Sequence, residues 1–289
     1  MIPFAKGHGL GNDYIVIQDK DLAAPLSAAA ITKICDRNRG VGSDGILLLV
    51  PSSKGDFGLR IFNPDGSEAE KSGNGLRIFA KYLWDHGLAK KPVFTVDTKG
   101  GMVECHCHVA DGRMQLVTVE MGRATFEATD VPVTGASGDV VGFGVTLGDG
   151  TKLAGTAVSV GNPHFVVFVD RLDEADCRRL GPQIERHAAF PARTNVQFVR
   201  ATTRGEIDIL IWERGAGYTL ASGSSSCAAA SAAVRNGFCD HGHVTVRMPG
   251  GELGIDVRPD WSLRLQGPVE EVYTGTLTRE FAESVVGTR

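Results

Sequence analysis

Residues 72–87 read SGNGLRIFAKYLWDHG, and residues 222–237 read SGSSSCAAASAAVRNG. Each stretch opens on a Ser-Gly pair that leads into a helical pattern, and the two pairs lie 150 residues apart. The same offset recurs on both sides. Gly11-Asn12 precedes the apolar run Tyr14–Ile17, and Gly161-Asn162 precedes Phe165–Val169. Gly100-Gly101 stands in TKGG and Gly250-Gly251 in MPGG. An alternating stretch follows each Gly pair, MVECHCHV or ELGIDVRP, and then a further strand-like run, RMQLVTVEMG or SLRLQGPVEEV. Glycine turns recur in any β-rich chain, but these Ser-Gly pairs open helices rather than hairpins. One offset at three landmarks therefore implies a duplication, a sequence of two similar α/β halves.

Short alternating and apolar runs dominate, which predicts mostly strands. Helices are expected at about 24–36, 73–86, 173–187 and 224–236. The last of these is almost entirely Ala, Ser and Cys. Small side chains let a helix approach sheet backbone on every side, so it reads as central and buried. The first copy is more amphipathic, with Leu76, Phe79, Ala80 and Leu83 on one face.

Composition narrows the function. The 289 residues contain 37 glycines, nearly twice the usual share of about 7%, as a turn-rich chain requires. A hydrophobic share of 42% and a charged share of 22% exclude disorder as the main state. A net charge of −4 gives no basic surplus for nucleic acid. No apolar run approaches the ~20 residues of a membrane span. The N-terminus lacks a charged-then-apolar signal layout, so the expected location is the cytoplasm. The six cysteines form no compact framework and read as reduced, mostly buried thiols.

Duplicated halves commonly place a site between them. Ser72 and Ser222 would then stand at equivalent helix N-termini, where free N–H groups and the positive dipole end suit a carboxylate. Glu104-Cys105-His106-Cys107-His108 offers metal-ligating side chains, but they alternate across one strand and cannot close a tetrahedron. No metal is expected. GHGLGND precedes a strand rather than a helix, so it fails the context of a phosphate or dinucleotide loop.

Five ordered motifs carry a family likeness. HGLGNDYIVI (8–17), FNPDGSEAEKSGNGLR (62–77), GNPHFVVF (161–168), TNVQF (194–198) and WERGAGYTLASG (212–223) resemble those of diaminopimelate epimerase. The likeness runs from residue 8 to about 275. It implies an α/β (α+β) fold of two pseudo-symmetric duplicated domains, each a curled, mostly antiparallel β-sheet around a central helix. The last strand returns to the first domain, in keeping with the run VEEVYTG. The expected domains are therefore 1–121 plus 270–289, and 122–269.

The resemblance also implies a cofactor-independent isomerase that inverts an α-carbon by two-base proton transfer. One group removes the α-proton and a second returns a proton to the opposite face. In the family both groups are cysteines in Cys-Gly pairs; here both positions are serine, Ser72 and Ser222. A thiol titrates near 8.5, lower still at a helix N-terminus. A serine hydroxyl ionises far above the working range, so the exchange should lower the rate by orders of magnitude.

Three readings are open: a natural serine variant, which includes a racemase or double-bond isomerase on another carboxylate substrate; an engineered, disarmed epimerase; and a silent amino-acid binder. Lys71, the run SGSSSCAA and Gly45 also depart from the usual pattern, which favours a natural variant.

The rest of the substrate shell matches. Asn12, Asn63, Asn162, Asn195, Glu213 and Arg214 stand where the family holds diaminopimelate. Gly73, Asn74, Gly223 and Ser224 would present backbone N–H groups to the α-carboxylate. His164 and Glu213 match residues that assist the two catalytic groups, His164 beside Ser72 and Glu213 beside Ser222. Arg214 can grip a carboxylate through two parallel hydrogen bonds. Taken singly, the asparagines read as turn residues and Glu213-Arg214 as a surface pair. The implied partner is a small amino acid or related carboxylate, with no nucleic acid or membrane, and with a homodimer as one assembly open to the chain.

Overall fold

The computed structural model describes residues 1–110 and 113–286. The stretches 111–112 and 287–289, which belong to the first half as read from sequence, lie outside the described residues. The chain divides into two compact units, Met1–Glu120 with Gly267–Arg289, and Met121–Gln266.

The first unit opens on an antiparallel hairpin, β1 (Ile2–Gly9) and β2 (Asn12–Gln18). Its turn is Leu10-Gly11, with φ of 56° and 88°. Two left-handed residues suit a two-residue hairpin, because they match the twist of the strands. Helix α1 (Ala28–Cys35) carries the chain across to β3 (Ile46–Val50), which lies parallel to β2. A parallel pair needs such a crossover. β4 (Phe57–Phe62) returns antiparallel to β3 and pairs with the short β5 (Glu68–Ala69). Helix α2 (Gly73–Asp85) follows, and β6 (Val93–Thr98) then lies parallel to β4. β7 (Gly101–Ala110) and β8 (Arg113–Arg123) complete an antiparallel run.

The second unit repeats this order. β9 (Phe143–Thr146) pairs antiparallel with β10 (Lys152–Ser159), and β10 with β11 (Pro163–Phe168). Helix α3 (Glu174–Glu185) crosses to β12 (Asn195–Thr203), parallel to β11. β13 (Glu206–Glu213) and β14 (Gly217–Thr219) precede helix α4 (Gly223–Arg235). β15 (Gly242–Met248) runs parallel to β13, and β16 (Gly251–Val257) and β17 (Ser262–Pro268) follow antiparallel. Burial repeats with topology: residues 11–20 and 161–170 share one pattern, exposed at each end with five buried positions between. β18 (Glu270–Leu277) then joins the first unit antiparallel to β1, and α5 (Arg279–Val286) packs on α1.

Each half is organised by its central helix. In α4 every residue from Ser225 to Val234 is buried, and the helix contacts β10, β11, β12, β13, β15 and β16. Its alanines keep the sheet backbone within reach on all sides. α2 is buried more widely than its sequence pattern implies, at Gly73–Ala80, Tyr82 and Leu83. Two of its buried polar side chains are tied to neighbours: Gln18 Nε2 donates to Tyr82 Oη at 2.8 Å, and Arg77 Nη2 donates to Asn74 Oδ1 at 3.0 Å.

Helix α1 begins later than residue 24, because Pro25 precedes Ser27, whose Oγ caps the helix by accepting from Ala30 N at 3.1 Å. Asp173 caps α3 in the same way. α5 was not legible from periodicity. Its start is marked only by Thr278, which accepts from Phe281 N. Among the described residues no helix is long and apolar enough to cross a membrane.

Candidate active site

In the first unit Ser72 is the N-cap of α2, with extended backbone at φ −143° and ψ 117°. Its Oγ accepts from Gly75 N at 3.0 Å and lies 3.4 Å from Tyr14 Oη. Gly73, Asn74 and Gly75 form the buried first turn. A chain of side-chain bonds starts here. Arg77, fully buried, donates to Asn74 Oδ1 at 3.0 Å; Asn74 Nδ2 donates to Asn12 Oδ1 at 3.0 Å; Asn12 Nδ2 donates to Asp44 Oδ2 at 2.9 Å. Arg37 bridges Asp44 and Asp13 at 2.7 Å each, and Lys6 meets Asp13 at 2.8 Å. Burial works to raise the Asp13 pKa, but the hydrogen bonds from Arg37 and Lys6 prevail and hold it below the usual carboxylate range. Both amide orientations follow from the ends of the chain, since a guanidinium only donates and a carboxylate only accepts. Asn63 lies in the NPDGS turn, where its Nδ2 donates to Ser67 Oγ at 3.0 Å.

In the second unit Ser222 caps α4 and is 5% exposed. Its Oγ accepts from Ser225 N at 3.4 Å and lies 3.5 Å from Ser224 Oγ. His164, on β11, is completely buried. Its Nε2 meets Asn162 Oδ1 at 2.9 Å, and its Nδ1 meets Gln197 Nε2 at 3.1 Å. Gln197 also donates to Ser225 Oγ at 3.0 Å, so one amide ties the imidazole to the first turn of α4. Burial pushes the His164 pKa down to about 3, and the charge of Arg214 acts in the same direction. Asn195 donates to Pro163 O and accepts from Arg214 N, each within 3 Å. Glu213 ends β13, half-buried, and Arg214 is exposed with Nη1 donating to Ala192 O at 2.9 Å.

Tyr14, Asp44, Arg77, Gln197 and Ser225 were missed as site residues. Arg77 and Gln197 carried a signal, since each is a strongly polar residue inside an otherwise apolar helix or strand pattern. In the strand Glu104–His108, Cys105 and Cys107 face the core. Their neighbours are paired, His106 with Glu104 at 2.5 Å and His108 with Thr118 Oγ1 at 2.7 Å. All six cysteines are buried, and none of them forms a disulfide. Lys71 donates to Glu120 O at 2.7 Å.

The two halves share one topology, each with a central helix capped by an equivalent serine, and this is the fold of solved epimerases and racemases. Solved structures share this fold: a hydroxyproline epimerase from Agrobacterium vitis superposes with a TM-score of 0.72 at 15% identity, covering 99% of this chain and 96% of its own. A methylitaconate-delta-isomerase does so at 0.66 and 14% identity, covering 96% and 95%.

The family is shown by sequence: the chain belongs to the diaminopimelate epimerase family, whose model matches residues 4–127 and 156–278. Diaminopimelate epimerase 2 of Nostoc sp. is 48% identical over 278 residues, 96% of each chain. The diaminopimelate epimerase of Pelotomaculum thermopropionicum is 44% identical over 274 residues, 94% of this chain and 97% of its own.

Proposed function

We propose that this isomerase acts on diaminopimelate, inverting one α-carbon by proton removal and return, with Ser72 and Ser222 as the proton-transfer groups. The observation that carries the reading is the equivalence of the two serines. Each caps a central helix, and each Oγ accepts from the N–H three residues on, Gly75 at 3.0 Å and Ser225 at 3.4 Å. The first-turn N–H groups of Gly73, Asn74, Gly223 and Ser224 suit a carboxylate at the same end as the dipole. Asn12, Asn63, Asn162, Asn195, Glu213 and Arg214 are the candidate groups for the remaining carboxylate and ammonium ends. His164 and Glu213 are the candidate assistants to the two serines.

Incubation with LL- and meso-diaminopimelate in D₂O tests this. Loss of the α-proton signal with formation of the other stereoisomer supports it. A second reading, a binder without turnover, is favoured by one fact: serine is itself a preferred N-cap, so both hydroxyls have a structural use. Saturable binding with no exchange would select that reading.

A further inference from the structure

We infer that Tyr14 is the proton-relay residue of Ser72, an inference that rests on Ser72 being one of the two proton-transfer groups. The need for a relay is chemical. An aliphatic hydroxyl ionises about as reluctantly as water does, far above the working range. A phenol titrates at about 10. Serine in place of a thiol passes a proton well but holds negative charge poorly, whereas a phenol joined to it takes that charge. At the same pH the phenol's base form is therefore more abundant by several orders of magnitude.

The geometry supplies the junction. Tyr14 is 7% exposed, and its Oη lies 3.4 Å from Ser72 Oγ. Gly75 N occupies one lone pair of that oxygen at 3.0 Å. A serine hydroxyl has one proton and two lone pairs. When Tyr14 donates, both lone pairs are used and the Ser72 proton is left for a carbanion. When Tyr14 is a phenolate, Ser72 donates to it and keeps one lone pair for an α-proton.

The ring is held in place. A Cβ at Gly45 would lie 2.7 Å from Tyr14 Cε1 and 2.3 Å from Phe62 O, so the tyrosine occupies space that only glycine leaves. A Cβ at Gly75 would lie 3.2 Å from Ser72 Oγ. The duplication gives an independent parallel. Position 14 corresponds by the 150-residue offset to His164, and His164 is likewise joined to the capping turn of its helix, through Gln197 and Ser225.

Proton return is then a concerted transfer. The Ser72 Oγ–H bond breaks as the carbanion's electron pair forms the new C–H bond. The Tyr14 Oη–H bond breaks as its proton passes to Ser72 Oγ. Ser72 ends neutral and Tyr14 ends as the phenolate, which regains its proton from water. Proton removal is the reverse sequence.

The test compares Tyr14→Phe in the wild type and in a Ser72→Cys/Ser222→Cys background. The readouts are kcat, KM and α-deuterium incorporation on diaminopimelate. Phenylalanine keeps the ring against Gly45, and circular dichroism checks that the fold is retained. The relay predicts at least a hundredfold loss of kcat in the wild type with KM changed less than about twofold. It predicts less than a threefold change in the dithiol background, where the thiol carries its own charge near neutrality. Equal losses in both backgrounds, or no loss in the wild type, overturn the relay. An inert wild type beside an active dithiol protein overturns the relay and leaves the diaminopimelate assignment standing. If both are inert, the assignment fails and the relay with it.

Discussion

Ser72 combines two properties that a single substitution separates. Its hydroxyl caps α2 through Gly75 N, and it is the proposed proton-transfer group. Asparagine is as good an N-cap as serine, while removal of a cap costs about 1 kcal/mol. Ser72→Asn should therefore hold stability within a few tenths of a kcal/mol yet abolish epimerisation, leaving only the exchange that Ser222 supports. Ser72→Ala should lose both. Urea denaturation beside an epimerisation assay decides this, and Ser72→Asn with full epimerisation would leave the hydroxyl as a cap only.

His164 carries a second residue-scale consequence. Its folded pKa of about 3 lies below the ordinary value of 6.5, so the unfolded chain binds the extra proton first. The stability it contributes is complete above pH 6.5 and is lost as pH falls toward 3. Urea midpoints measured from pH 7 to pH 4 should fall, and His164→Gln should flatten that part of the slope.

At the scale of elements, the helices show how packing overrides propensity. Gly181 sits inside α3, where alanine would ordinarily favour the helix by ~1 kcal/mol. A Cβ there would lie 2.6 Å from Trp212 Cγ and 2.7 Å from Trp212 Cβ. The indole cannot retreat freely, because Trp212 Nε1 donates to the buried Glu185 at 2.9 Å. The clash should outweigh the propensity gain, and Gly181→Ala should destabilise by about 1–3 kcal/mol. A thermal or urea melt checks the sign; a stabilised variant would show that the Trp212–Glu185 bond yields. The same reasoning explains α4, where the run Cys227–Ala233 is buried all round and larger side chains have no space.

At the scale of the molecule, duplication supplies one capped helix in each half, and the proposed inversion uses a proton-transfer group from each. Replacing both serines with cysteine should create or raise diaminopimelate epimerisation, because each thiol brings a pKa near neutrality. Either single replacement should help much less, since one competent base exchanges a proton without inverting the centre. The check is a coupled epimerisation assay beside deuterium incorporation for all four proteins. A folded, ligand-binding dithiol protein that neither exchanges nor inverts would remove diaminopimelate as the substrate.

The repeat, the strand-rich halves, the central place of the Ala-rich helix and the capping serines were written in the chain, because they rest on local pattern. A 150-residue offset, a run of small residues and a Ser-Gly pair are properties of neighbours in sequence. Side-chain partnership was not legible. Tyr14 meets Ser72 across 58 positions, Asn74 meets Asn12 across 62, and Gln197 meets Ser225 across 28. Those pairs exist only once strands β2 and β12 lie beneath their helices. The amide orientations of Asn12 and Asn74 were decided by tertiary structure alone. Nothing in an asparagine's sequence context sets which end donates, whereas a buried guanidinium at one end of the chain and a carboxylate at the other permit a single arrangement.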